Sequence, residues 1–152
     1  MIDAITVANT ILKRGKQEDI PITPMKLQKI VYFIYRDYLQ QTGQPLFSER
    51  FEPWDYGPVI RDIYDAFKKY GRNHIKKYAV SRDGKTAYVV NEKTSPKLSE
   101  IIDIVWAKCK YQDGISLSKR THEEGGAWRK AYLNSYPYLL DEDIKEENIQ
   151  IA

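Results

Sequence analysis

The residues able to do chemistry are few. Two histidines, His74 and His122, and one cysteine, Cys109, are all the soft ligands and imidazoles present. A zinc site needs several such groups at converging spacing, and one Cys with two distant His does not supply it. His122-Glu123-Glu124 offers one or two ligands, although neighbouring residues diverge by ~100° around a helix. Two readings of that string stand: a hydrogen-bonded structural His, or the centre of a metal-dependent hydrolase. Asp62 and Asp65 pair two carboxylates, but on the polar face of a predicted helix, where solvation accounts for them. Gly84-Lys85-Thr86 resembles the end of a phosphate-binding loop, yet the glycine that loop requires at position 79 is Ala79. Cys109 falls in an apolar stripe and reads as a small buried hydrophobe. No catalytic residue, metal or cofactor is expected.

The elements that would position these side chains are mostly helical. A first helix is predicted from Ile2 to about Lys13, with Ile5, Ala8 and Leu12 on one face and Gly15 as its punctuation. Thr23-Pro24 starts a second, with a capping hydroxyl and a preorganised first residue, and Gly43 stops it. Leu27, Ile30, Val31, Ile34 and Tyr38 line one side, while Met25, Phe33, Tyr35 and Leu39 carry apolar character around the rest. A helix apolar nearly all round is buried on several sides, so this is the expected centre of the domain. Phe51 to Trp54 reads as extended, Asp55-Tyr56-Gly57-Pro58 as a turn, and Pro58 as the start of a third helix ending near Tyr70. Asp83-Gly84 predicts a β-hairpin over 78–91. Ser95-Pro96 opens a helix to about Tyr111, a turn starts near Ser116, Ala127 to Asn134 is helical, and the acidic tail holds one short helix. The expected fold is mainly α (α+β): one domain, 1–152, a bundle of about five helices around a central buried helix with a small antiparallel hairpin.

Composition agrees with a single folded domain. The 152 residues are 42% hydrophobic and 30% charged, enough apolar surface to exclude disorder as the dominant state. One Cys excludes an internal disulfide and points to a reducing compartment. No run approaches the ~20 apolar residues of a membrane span, and Met1-Ile2-Asp3-Ala4 lacks a signal-peptide pattern; a cytoplasmic protein is expected. The net charge of +3 is too balanced to announce nucleic acid. Basic clusters and a turn-tipped hairpin carrying Arg82 and Lys85 would suit a winged-helix DNA regulator, but the third helix lacks a display of base-reading side chains. Twelve Tyr against four Phe hint at a binding surface, because Tyr suits half-buried positions.

Four strings, in order, then carry a resemblance. They are Ile22-Thr23-Pro24-Met25-Lys26-Leu27-Gln28-Lys29-Ile30-Val31-Tyr32-Phe33, Pro45-Leu46-Phe47 with Phe51-Glu52-Pro53-Trp54-Asp55-Tyr56-Gly57-Pro58-Val59, the following Tyr64, Phe67 and Tyr70-Gly71, and Leu117-Ser118-Lys119-Arg120-Thr121-His122-Glu123-Glu124-Gly125-Gly126-Ala127-Trp128. Together they resemble the SocA-like antitoxin domain, also called the Panacea domain, from the first helix to Tyr132. Pro24 and Ala127 stand where that family commonly has Asn and Pro. The resemblance implies a non-enzymatic antitoxin of a two-gene toxin–antitoxin system, whose partner is a cognate protein toxin. In an adaptor mode a cytoplasmic protease would be a second partner; phage-associated members suggest counter-defence as another use of the scaffold. Some members append a helix-turn-helix, for which this length leaves no room, so neither nucleic acid nor a membrane is an expected partner.

The expected partner-binding set is Lys26, Gln28, Lys29, Trp54, Tyr56, Gly57, Pro58, His122, Glu123 and Trp128. For Lys26 and Lys29, ion pairs with Glu52, Glu123 or Glu124 would tie the central helix to the two motif loops. For Trp54, Tyr56 and Gly57-Pro58, a rigid corner and an aromatic anchor are both open, as they are for His122 and Trp128.

Overall fold

The computed structural model describes residues 1–81 and 83–152. Among them are seven α-helices and one two-stranded antiparallel sheet: α1 (Ala4–Glu18), α2 (Pro24–Thr42), β1 (Phe51–Trp54), β2 (Gly57–Ile60), α3 (Arg61–Phe67), α4 (Pro96–Cys109), α5 (Gly114–Thr121), α6 (Ala127–Leu133) and α7 (Asp141–Glu146). A single 3₁₀ turn, Lys68–Tyr70, follows α3.

The centre is α2, as its all-round apolar pattern requires. Thr23 accepts the Lys26 N–H, Pro24 takes the first turn, and Gly43 closes the end. Leu27, Ile30, Val31, Tyr32, Phe33 and Ile34 are all fully enclosed, and the helix packs against α1, α3, α4, α5, α7 and β2. Helix α1 runs past the expected stop to Glu18, capped by Asp3. Gly15 lies inside it because the chain returns there: a Cβ would stand 2.8 Å from the Ile20 carbonyl. The residue that resembled a helix terminator serves close approach instead.

The sheet lies elsewhere than expected. It pairs Phe51 with Ile60, Glu52 with Val59, Pro53 with Pro58 and Trp54 with Gly57, leaving Asp55-Tyr56 as a two-residue turn. Pro58 therefore belongs to a strand, and the third helix begins only at Arg61. Around Asp83-Gly84 a turn does form, with the Ser81 N–H donating to the Thr86 carbonyl at 2.7 Å. Further from the turn, Ala79, Tyr88 and Val90 bond to side chains of α1. Asn9, fully buried, bonds both backbone groups of Ala79 and the Tyr88 carbonyl, and Thr10 Oγ1 accepts the Val90 N–H. Arg82, the expected wing residue, lies outside the described residues. No helix of the described residues is long and apolar enough to cross a membrane.

Candidate functional site

The outer edges of a two-stranded ladder expose N–H and C=O groups at alternate residues. With the tight turn after Trp54, the outward positions are Pro58 and Ile60 on β2, and Pro53 and Phe51 on β1. Side chains of the motif strings occupy these edges. Gln28 reaches from α2 to Ile60 and makes both bonds a neighbouring strand would make: its Nε2 donates to the Ile60 carbonyl at 3.1 Å, and its Oε1 accepts the Ile60 N–H at 3.0 Å. Lys29 Nζ donates to the Pro58 carbonyl at 3.1 Å. On the other edge the Leu139 N–H donates to the Phe51 carbonyl. Prolines are tolerated here because the N–H they lack would have faced outward.

Two further clamps hold the turn. Ser118 Oγ on α5 donates to the Tyr56 carbonyl, and the Trp128 indole N–H on α6 donates to the Trp54 carbonyl at 2.7 Å. The hairpin is thus fastened to α2, α5 and α6 through its backbone; at its tip Asp55 accepts the Tyr132 hydroxyl at 2.8 Å, and the Tyr56 ring is left free. Tyr56 is 68% exposed. Trp54, half-buried, is braced by Tyr64 at 4.7 Å between ring centroids and by the Arg61 guanidinium above its ring. Tyr64 is itself exposed. Beside the tip lies a groove of about 590 Å³ whose walls include Met25, Trp54, Tyr56, Val59 and Tyr64.

The sequence-predicted set divides accordingly. Gln28, Lys29, Trp54, Tyr56, Gly57, Pro58, His122 and Trp128 converge on the hairpin. Lys26 does not: its ammonium donates to the Lys110 carbonyl at 2.6 Å, at the end of α4. The expected ion pairs are not formed either. Lys29 has only the Pro58 carbonyl, Glu52 pairs with Arg61 at 3.0 Å, and Glu123 and Glu124 point to solvent. Lys26, Gln28 and Lys29 are 6%, 4% and 1% exposed, so they act through the backbone they hold. Burial pushes the Lys29 amine down to about 7.

His122 lies flat on Trp128, ring centroids 3.9 Å apart, and Trp128 stacks in turn on Tyr132. Its Nε2 finds no partner among the described residues. Burial, then the charges of Lys29 and Arg129, lowers its pKa, so the ring is neutral at pH 7. No group of three or more His, Cys, Asp or Glu able to hold a metal occurs among the described residues. Cys109 is buried, and its thiol is pushed up to about 12 by that burial, so it does not ionise near neutrality.

Sequence reasoning missed Ser118, Thr121 and Asp55. Ser118 and Thr121 lie three apart on α5, a spacing that places two hydroxyls on one buried face. Thr121 Oγ1 and Lys29 Cε also fix Gly57, where a Cβ would approach them at 2.7 and 2.8 Å and where φ is +115°. Gly57→Ala is expected to destabilise the domain by about 2–3 kcal/mol, from the strained φ and the displaced clamp. Urea unfolding measures it; a loss below about 0.5 kcal/mol would show that the corner can relax.

A protein-family model described as Antitoxin SocA-like, Panacea domain, matches residues 27–129. The chain is also 31% identical over 129 residues to Antitoxin SocA of Caulobacter vibrioides (strain NA1000 / CB15N), covering 84% of this chain and 69% of that protein. No solved structure matches it. The matched stretch begins and ends on the hairpin's own clamps, from the α2 segment that bears Gln28 and Lys29 to the α6 segment that bears Trp128, and the chain belongs to the SocA-like antitoxin family, the Panacea domain.

Proposed function

We propose that this chain is an antitoxin that neutralises a cognate protein toxin by direct binding, with the clamped hairpin tip and its groove as the contact surface. Family membership supports the antitoxin role. The observation that supports the surface is Tyr56: its carbonyl is pinned by Ser118 while its ring is 68% exposed beside an apolar groove. A rigid aromatic ring loses little entropy on binding, and interface hot spots are enriched in Trp, Tyr and Arg. Trp54, Tyr56, Tyr64 and Arg61 supply those types on one face, and His122 with Trp128 backs it. The chemistry is that of association, in reach of a toxin made in the same cytoplasm.

Co-expression with the product of the neighbouring gene tests the role. Growth restored, and the two proteins co-purifying, is the expected result. A neighbour that is harmless alone, or that stays toxic beside comparable levels of this protein, overturns it. An unchanged toxin half-life during rescue is expected for occlusion; a shortened one would replace occlusion by delivery to a protease. For the surface, Tyr56→Ala should weaken toxin binding at least about 30-fold, the scale of a hot-spot truncation. Stability should change by less than about 0.5 kcal/mol, since the ring is exposed. Isothermal titration and urea unfolding separate these effects, and an unchanged affinity would move the interface elsewhere.

A further inference from the structure

The chain's charge is strongly polarised. Residues 68–85 carry seven basic side chains and one acidic one, while 141–147 carry five acidic and one basic; the two segments largely offset each other within the small net charge of +3. The fold adds α1 to the basic segment. Ile75 is held to Ile22 through its N–H, and Asn9 and Thr10 hold Ala79, Tyr88 and Val90 against α1. Lys16, His74 and Lys77 consequently line one cleft of about 320 Å³, and the Lys16 ammonium sits 4.4 Å over the Tyr78 ring. Lys13, Lys16, Arg72, Lys76, Lys77 and Lys85 are all exposed, and none has a carboxylate within ion-pair distance among the described residues. The acid within the segment, Asp83, spends its oxygens on Ser81, Lys85 and Thr86. Asp19 is the remaining acid at the cleft.

Unpaired cations at this density repel one another, and a polyanion relieves that repulsion while releasing its own counterions. We infer that this face, formed by the outer side of α1 and residues 68–81 and 83–85, is a docking surface for the phosphodiester backbone of nucleic acid. An acidic protein surface is the competing occupant. Nucleic acid is favoured because rings border the cations: Tyr78 lies under the Lys16 ammonium, and Tyr88, just beyond the segment and bonded through its carbonyl to Asn9 of α1, is 57% exposed, where an exposed ring is a stacking platform for an unpaired base. No display of base-reading side chains accompanies it, so the binding is sequence-independent.

The test is fluorescence anisotropy of the full chain with labelled duplex DNA and, separately, single-stranded RNA, across a salt series. Four to five neutralised phosphates give a log–log salt slope of about −4 on duplex, or roughly a 10²-fold affinity loss between ~50 and ~200 mM salt. Lys76→Glu with Lys77→Glu should reduce that slope by about 2 and weaken binding at ~0.1 M salt at least about tenfold. Both side chains are exposed and unpaired, so the melting temperature should be retained. Lys108→Glu with Lys119→Glu changes net charge equally on other exposed helix positions and should leave binding near wild type. Tighter binding to RNA than to duplex, lost with Tyr88→Ala, would assign the stacking role to that ring; tighter binding to duplex, insensitive to it, would assign affinity to phosphates alone. No binding at ~50 mM salt overturns the inference. So does an unchanged slope in the Lys76/Lys77 variant, or equal weakening by the Lys108/Lys119 control. Loss of toxin neutralisation in the Lys76/Lys77 variant would instead make this face a protein interface, whereas failure of the antitoxin reading alone leaves the nucleic-acid result standing.

Discussion

Glu147→Ala is expected to cost about 3–5 kcal/mol of folding stability, the range for removing one partner of a buried ion pair. The carboxylate is enclosed between α2 and the start of α6. Its Oε1 accepts the Tyr32 hydroxyl at 2.7 Å and the Ala127 N–H at 2.9 Å, and its Oε2 faces Arg36 Nη1 at 3.1 Å. Deleting it strands three donors, one of them a charge held away from water. Arg36 keeps Asp37 at 2.9 Å and the Ile149 carbonyl at 2.7 Å, so the guanidinium is not left wholly bare. Burial and this carboxylate raise the Tyr32 pKa well above its usual range, so the phenol remains a donor at any ordinary pH. For a domain of this size the melting temperature should fall on the order of 10 °C. Glu147→Gln keeps the acceptor and loses only the charge, so its loss should be roughly half as large. Urea unfolding of both variants decides this, and a cost below about 1 kcal/mol for the Ala variant would mean that the C-terminal segment is not held through this group.

Lys29→Met should have the opposite sign near neutral pH: a gain of about 2–3 kcal/mol at pH 6, gone by about pH 9. Burial lowers the folded amine to about 7 from an ordinary 10.5. Between those values the unfolded chain binds a proton that the folded chain does not, so wild-type stability rises with pH at about 1.4 kcal/mol per unit. Below about pH 7 the full penalty of the buried ammonium is present. Met removes that penalty but leaves the Pro58 carbonyl without its donor, a cost of about 1–3 kcal/mol, which sets the net gain and the crossing point. Cys109 adds a slope of opposite sign from about pH 9, because its thiol ionises in the unfolded chain before the folded one. Comparison of the two proteins cancels that contribution. Stability measured at pH 6, 7.5 and 9 in both is the experiment, and a variant less stable at every pH would show that Lys29 is paired in solution. Toxin neutralisation should survive the change, since Lys29 is 1% exposed and presents nothing to a partner.

Much of the architecture was legible because its signals are local. Thr23-Pro24 and Gly43 bracket α2 in the sequence and in the fold, and Ser95-Pro96 opens α4. The hairpin was misplaced for a physical reason. Asp83-Gly84 does make its turn, but Asn9 and Thr10, distant in sequence, compete for the backbone that a second ladder would need. Asp55-Tyr56 carries a weaker turn signal and is flanked by Pro53 and Pro58, which argue against strands. Those prolines are tolerated because the register turns outward the N–H each of them lacks, and Lys29, from another element, takes the outward carbonyl of Pro58. Most residues of the motif strings converge on the hairpin, and their lysines hold carbonyls where carboxylates were expected.

What the sequence by itself determined is therefore the set of helices, the central place of α2, the poverty of catalytic groups and the family. These follow from periodicity, caps and residue types acting within a few positions of one another. Tertiary structure alone decided which backbone groups the buried polar side chains meet. It set Gln28 as a strand for Ile60, Glu147 as the acceptor for Tyr32 and Ala127, and the tip of the hairpin as the part left facing outward. A buried polar group must find a partner, but packing between elements far apart in the chain chooses which one.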